Sequence, residues 1–338
     1  MPAVTLDELV VGGERHEIFK VTIDGKHYAA KSFCEEYLRD EEYEKHDHVI
    51  RILDEKVRLL VEGLERSAYA YAYHAEKLLL HRSIARVFGK ADDGRSKYCI
   101  VLRLEGQSME EQLTSANPST PFNPPTPLEG LEYARQLIGA LSCVHQVVFH
   151  YDINTVNIWQ KLEGGGYVIG DFGESEKIDS RTCNRGGYSQ YSPPLDRVGR
   201  YTDGSFDVAS LACVLLEFLV WVIPCGNFPG SNIPARVRRV LQFRRERAAD
   251  QINNQRGQKY RDVSERFYIR RKSGSVELST SVNGWLDSLA LQGGIPGVVE
   301  VLRRMMHVDP DKRPTASKAY DSFNKALQIN PLLPPQRH

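Results

Sequence analysis

The chain has 338 residues, 41% of them hydrophobic and 26% charged, with 44 Lys plus Arg balanced by 44 Asp plus Glu. That length buries a substantial core and fits one large two-lobed domain or two ordinary ones. The composition excludes a disordered chain or a fibrous repeat, and the balanced charge gives no global field for nucleic acid or a membrane surface.

In chain order, residues 8–33 have the pattern of strands. Ile18, Val21 and Ile23 alternate, Asp24-Gly25 marks a hairpin turn, and Tyr28 to Lys31 continue into a second strand. Residues 35 to about 80 are charged and helical, with an acidic run over 35–47. Strands are expected again at 84–88 and 98–104, around a D-D-G-R turn at 92–95. A Pro/Ser/Thr/Asn run at 114–127 is a surface loop. Leu131, Ala134, Leu137, Ile138, Leu141 and Val144 then share one helical face, and more helices are expected at 207–223, 234–250, 295–306 and 315–328. A β-rich first third before a helical remainder suggests an α+β chain with two lobes and a cleft between them.

Val208 to Ile223 is nearly all apolar, yet it is short for a membrane span and carries Glu217 near its middle. A helix buried on all sides is the better account. The arginines at 236, 238, 239, 244, 245 and 247 are expected on the solvated face of a helix, with a docking face for an acidic partner as the alternative. Six scattered cysteines, without C-x-x-C, form neither a zinc spacing nor a disulfide framework. Together with the absence of an apolar N-terminal segment, they suggest an intracellular protein, cytoplasmic or nuclear, with reduced thiols.

The chemistry concentrates in two acidic motifs, H-Y-D-I-N-T-V-N at 150–157 and D-F-G at 171–173. Asp152 and Asn157 stand five residues apart, a carboxylate and an amide within one short run. Asp171 follows an expected strand at 167–169. Farther on stand F-D-V-A-S-L-A-C-V-L-L-E at 206–217, Y-S-P-P-L at 191–195 and D-P-D-K-R-P-T at 309–315. Together these segments resemble the eukaryotic protein-kinase superfamily over roughly 8–328. The E-F-L-V-W extension and the long insert up to Trp285 resemble a divergent, fungal-type branch.

The resemblance implies a bilobal kinase domain over 1–330, with a small β-rich lobe at about 1–104, a mainly helical large lobe at about 105–330, and a tail at 331–338. It implies an ATP- and magnesium-dependent enzyme acting on a protein substrate. In that scheme Asp152 orients the attacking hydroxyl, Asn157 and Asp171 hold magnesium, and Lys31 meets the nucleotide phosphates. Glu65 fits best as the glutamate partner of Lys31, with Glu76 as the alternative. Gly13 belongs to the phosphate-covering loop. Ile18 and Ala29 cover the adenine, Trp159 lies below it, Val101 is the gatekeeper, and Leu104 belongs to the hinge at 102–105. Asp207 braces the catalytic loop.

Departures from the family pattern bear on rate. Only Gly13 of the glycine loop is in register, so backbone N–H groups approach phosphate less freely. Tyr151 replaces the arginine that receives a phosphorylated activation loop. Asn154 replaces the phosphate-directed lysine, and Tyr188 replaces that lysine's threonine partner. Losing one preorganised electrostatic donor costs roughly 10²–10³ in rate. Leu195 stands where a glutamate pairs with Arg313, and Asp196 is positioned to take over. The favoured expectation is an ATP-dependent protein kinase of Ser/Thr type. The alternatives are a pseudokinase acting as a nucleotide-binding scaffold and a small-molecule phosphotransferase.

Overall fold

The computed structural model describes residues 4–12, 16–23, 26–34, 97–103, 106–115, 123–146, 148–161, 165–171, 174–178, 190–194, 203–225, 233–254 and 266–329, the first four segments through their strand pairing. Those four are β1 (Val4–Gly12), β2 (His16–Ile23), β3 (Lys26–Cys34) and β4 (Lys97–Arg103), joined in that order into one antiparallel sheet. The β2–β3 ladder runs to the pair Ile23–Lys26, on either side of Asp24 and Gly25, which lie outside the described residues. The elements expected at 35–80, 84–88 and 92–95 also lie outside them.

After the sheet the chain is mainly helical, as its patterning predicts. The helices are α1 (Met109–Thr114), α2 (Pro127–Val144), α3 (Ser205–Val222), α4 (Ala235–Asn254), α5 (Thr280–Leu291), α6 (Pro296–Met305) and α7 (Ala316–Gln328). Three short antiparallel ribbons join them. β5 (Val148–Phe149) pairs with β8 (Glu176–Lys177), β6 (Ile158–Gln160) with β7 (Tyr167–Ile169), and β9 (Tyr268–Arg270) with β10 (Val276–Leu278).

Local chemistry explains where α2 starts. Thr126 is its N-cap, and Glu129 three positions on returns its carboxylate to the Thr126 N–H at 2.8 Å. Pro127 occupies the first turn, where its missing N–H has no intrahelical role. The six residues assigned to its apolar face are all buried. They pack toward α3, and the crossing is close: a Cβ on Gly130 would fall 2.5 Å from Val222 Cγ1.

α3 is the centre of the large lobe. Every residue from Phe206 to Val222 is buried, with α2, α4, α5 and α6 packed around it. It is long and apolar enough to cross a membrane, but 94% of that window is enclosed by the protein's own helices. Each fully buried Leu, Val or Phe side chain contributes about 1.5–3 kcal/mol, so this helix anchors the lobe.

Two features depart from expectation. α5 and the β9–β10 ribbon fall in the stretch assigned only to an insert. α5 carries its own signal, a Ser279 cap on the Val282 N–H and apolar Val282, Trp285, Leu286 and Leu289 at helical spacing. More consequentially, α4 does not present its basic stretch to solvent. Arg239, Arg244 and Arg247 are buried, Arg236 and Arg238 are half-buried, and of the six only Arg245 is exposed. The reason is electrostatic: buried carboxylates and carbonyls on neighbouring elements receive these cations.

Candidate active site

The catalytic-loop segment His150–Asn157 is held from below by α3. The first turn of α3 presents Asp207, which is fully buried. Its Oδ2 accepts the His150 backbone N–H at 2.6 Å and its Oδ1 accepts the Tyr151 N–H at 2.7 Å. His145, at the end of α2, approaches the same carboxylate at 2.9 Å. Tyr151 takes a left-handed backbone with φ 60°, which a bulky residue adopts at a cost of about 1–3 kcal/mol. Its ring packs edge-on against Phe206 and Phe149, so aromatic burial and the Asp207 bond together hold that turn.

His150 ties the loop to the strand that precedes D-F-G. Its Nδ1 accepts the Asp152 N–H at 3.3 Å, which assigns the ring proton to Nε2, 3.0 Å from the Gly170 carbonyl oxygen. The β6–β7 ladder pairs Ile158 with Ile169, and one step beyond it the Gly170 N–H donates to the Asn157 carbonyl at 2.9 Å. Asn157 is therefore joined to the residue before Asp171 at one end of the ribbon. Among the described residues, Asp171 is the second non-glycine residue with positive φ, at 61°.

Around Asp152 the side chains form a closed set. Asn157 Nδ2 donates to Asp152 Oδ2 at 2.8 Å and Asn154 Nδ2 to Asp152 Oδ1 at 3.0 Å. Asn154 Oδ1 in turn accepts the N–H groups of Val156 at 2.9 Å and Asn157 at 3.1 Å. From the sequence, Asn154 is a hydrogen-bond donor without the charge of the lysine it replaces. The structure shows an amide that both donates to Asp152 and shapes the turn carrying Asn157, and a lysine has no acceptor for the second task.

A second group of buried polar residues was missed. Thr155 is 1% exposed; its Oγ1 donates to Glu110 Oε2 at 2.6 Å and lies 3.0 Å from the Tyr191 hydroxyl. Tyr191 donates to Glu217 Oε2 at 2.7 Å. Arg244 reaches both oxygens of Glu110 at 2.7 Å and also Glu217 Oε2 at 2.8 Å, while Arg247 pairs with Glu217 Oε1. Burial opposes the ionisation of Glu217, but Arg247 and Arg244 outweigh it and hold its carboxyl down to about 2. Glu110 is likewise lowered, its burial outweighed by the hydrogen bonds and charge of Arg244 and by Thr155. Burial first, and Glu217 second, keep the Tyr191 phenol protonated, so it remains a donor. The one early signal was Glu217 itself, a charge inside an apolar helix.

Of the other expected site residues, Trp159 lies half-buried in β6, opposite Val168. The linker that follows β4 runs beside it, with Gly106 N–H donating to Gln160 O at 2.7 Å and a bridge between Ser108 and Trp159. Lys31 pairs in register with Ile18 and Ile100, Ala29 with Leu102, and Ala30 with Val101, which aligns β2, β3 and β4 as the sheet requires. Gly13, Leu104, Glu65, Glu76, Phe172, Gly173, Tyr188, Leu195 and Asp196 lie outside the described residues. Arg313 donates to the carbonyl oxygens of His307 at 2.7 Å, Ser205 at 3.1 Å and Val308 at 3.2 Å.

Residues 65–323 match the protein kinase domain family. The chain belongs to that family. The kinase domain also resembles two curated bacterial proteins. One is the serine/threonine-protein kinase PrkC of Bacillus subtilis, 27% identical over 168 residues, which cover 48% of this chain and 24% of that protein. The other is a probable serine/threonine-protein kinase of Clostridium perfringens, 29% identical over 141 residues, covering 40% of this chain and 19% of that protein. The chain thus spans about a quarter or less of the length of these relatives. The match covers β4 and the helical part built on α3, while β1, β2 and β3 precede it.

Proposed function

We propose that this kinase domain transfers the γ-phosphoryl group of ATP to a serine or threonine hydroxyl of a protein, with Asp152 as the catalytic carboxylate. The observation that carries this reading is the bonding of Asn157 both to the Asp152 side chain and to the backbone of Gly170, the residue before Asp171.

In this reading Asp152 accepts the hydrogen bond of the incoming hydroxyl and then its proton. The hydroxyl oxygen forms a bond to the γ-phosphorus, the bond from that phosphorus to the β,γ-bridging oxygen breaks, and ADP leaves with the electron pair. Lys31 supplies a cation to the phosphates. Asn157 and Asp171 would hold magnesium. Their oxygen donors suit a hard cation, and among the described residues the Asn157 amide oxygen accepts no hydrogen bond. When bound with ATP, magnesium gathers phosphate charge. Asn154 gives Asp152 a neutral hydrogen bond in place of a cation aimed at phosphate, so turnover is expected to be slow for a kinase.

That same substitution favours a second reading, a nucleotide-binding scaffold. Two measurements separate them: thermal shift with Mg-ATP, and transfer of labelled γ-phosphate to a general protein substrate or to the chain itself. The first reading expects transfer that drops about 10²–10⁴-fold in Asp152→Asn and in Asp171→Ala. Nucleotide binding without transfer supports the scaffold. Transfer that survives Asp152→Asn overturns the role of Asp152.

A further inference from the structure

We infer that Thr155 and Arg244 are positioning residues for the catalytic loop: together with Glu110, Tyr191 and Glu217 they lock the segment that carries Asp152 and Asn157 into one conformation. The inference rests on the reading of Asp152 as the catalytic carboxylate, and it adds residues that the motifs do not name.

Thr155 sits between the two functional residues and points away from them, into the lobe. Three contacts hold it. Its carbonyl oxygen accepts the Glu110 N–H at 3.0 Å, its hydroxyl donates to Glu110 Oε2 at 2.6 Å, and the Tyr191 hydroxyl lies 3.0 Å away. With Asp152 fastened by Asp207 through His150 and Tyr151 on one side, Thr155 is the second fixed point of the loop. Asn157 is the third, through Gly170. A short loop fixed at three points has little freedom left between them.

Arg244 is what makes the Thr155 anchor stiff. A carboxylate on a six-residue helix such as α1 would otherwise swing. The guanidinium binds both oxygens of Glu110 and, on its other edge, Glu217 through Nε at 3.1 Å and Nη2 at 2.8 Å. It also donates to the Tyr191 hydroxyl at 3.2 Å. A planar fork can address two carboxylates at fixed angles, whereas a lysine ammonium is a single point. Arg247 supplies the second positive charge, stacked 4.2 Å from the Phe243 ring centroid and 4.1 Å from that of Phe267. Two arginines thus face two carboxylates, and the cluster is neutral.

The geometry also has an economy of protons. The Thr155 and Tyr191 hydroxyls hold one proton each, and both carboxylates claim them. The Thr155–Tyr191 contact must therefore share one of these, which couples the catalytic loop to Tyr191, at the end of the activation segment. Altering either hydroxyl should be felt by the other.

The test compares Thr155→Val, Thr155→Ser and Arg244→Lys in the full chain by two readouts. The first is phosphoryl transfer with kcat and KM for Mg-ATP taken separately. The second is hydrogen exchange at the amides of Val156, Asn157 and Gly170, which needs no turnover. Expected are a kcat lowered about tenfold or more in Thr155→Val and Arg244→Lys with KM within about twofold, recovery in Thr155→Ser, and faster exchange at those three amides while α6 and α7 are unchanged. A Leu302→Ala variant, which thins the core far from the loop, controls for general loss of stability. Unchanged exchange at the three amides in a folded Thr155→Val protein overturns the inference. So does a kcat loss that the Leu302→Ala control reproduces. A wild-type chain that transfers no phosphate would refute the proposed activity, and the exchange comparison would still decide whether the network holds the loop.

Discussion

Asp207 Oδ1 accepts the backbone N–H of Tyr151 at 2.7 Å, joining the first turn of the central helix to the left-handed residue before Asp152. The same carboxylate serves His150 and His145. One buried side chain thus satisfies two backbone donors that no secondary structure reaches. It also offsets the cost of a positive φ at a tyrosine. Asp152, the proposed catalytic carboxylate, follows directly on this contact.

Replacing Asp207 with Ala should therefore cost more than a single hydrogen bond. It strands two buried N–H groups at about 1–3 kcal/mol each, so a loss of about 3 kcal/mol or more is expected in urea denaturation. Asp207→Asn keeps one acceptor oxygen and should lose less. A variant as stable as wild type would show that the turn at Tyr151 is held by its aromatic packing alone.

Gly204 caps the N-terminus of α3 and leaves room for His145. A Cβ there would fall 2.4 Å from His145 Cε1, and its φ of −68° suits any residue, so the constraint is space. Gly204→Ala should displace the imidazole from Asp207 and destabilise the chain by about 1–3 kcal/mol, as overpacking does. Chemical shifts of the His145 ring in the variant would register the displacement, and an unmoved ring would contradict it.

The cluster at Glu217 predicts a pH dependence. Its carboxyl is held down to about 2 against an ordinary value of 4.5, because Arg247 and Arg244 outweigh burial. A depressed carboxylate contributes stability that is complete above 4.5 and is lost as pH falls toward 2. Wild-type unfolding free energy should decline across that window. In Glu217→Gln the decline should be shallower. The variant should also be about 3–5 kcal/mol less stable near neutrality, because buried Arg247 loses its carboxylate. Urea titrations between pH 7 and pH 2.5 provide the comparison, and parallel slopes for the two proteins would count against the ion pairing.

Asn154 permits a test of Asp152. Asn154→Asp retains an oxygen to accept the Val156 and Asn157 N–H groups but sets a second carboxylate where the amide now donates to Asp152 at 3.0 Å. The variant removes that donor and sets a like charge against Asp152, so phosphate transfer at neutral pH should fall about tenfold or more. Transfer equal to wild type would mean that the Asn154 amide does not position Asp152.

The kinase family was legible because its motifs are local. H-Y-D-I-N-T-V-N, D-F-G and K-R-P-T lie in short runs, and the apolar spacing of α2, α3, α6 and α7 follows from helix geometry alone. The ends expected for α3, α6 and α7 fall within two residues of those observed. Where the chain has a cap and a period it can be read without coordinates. α5 has both, although its first half falls in the stretch that resembles an insert.

The basic stretch of α4 is a different kind of miss. A run of arginines carries no mark of its partners, and the usual fate of such a run is solvent. Here the partners come from α1 and α3, far away along the chain, so only folding brings Glu110 and Glu217 to Arg244 and Arg247. Half of the docking charge expected for an acidic partner is turned inward.

By itself, then, the sequence determined the family and the central buried helix, and it supplied the motifs on which the proposed roles of Asp152, Asn157 and Asp171 rest. These depend on residue type and on spacing over a few turns. The tertiary structure alone decided that Asn154 shapes the loop, that Asp207 carries three donors, and that Thr155 is fastened through Arg244. Hydrogen bonds and ion pairs between distant segments are set by where whole helices pack, and side-chain spacing along one segment does not encode that.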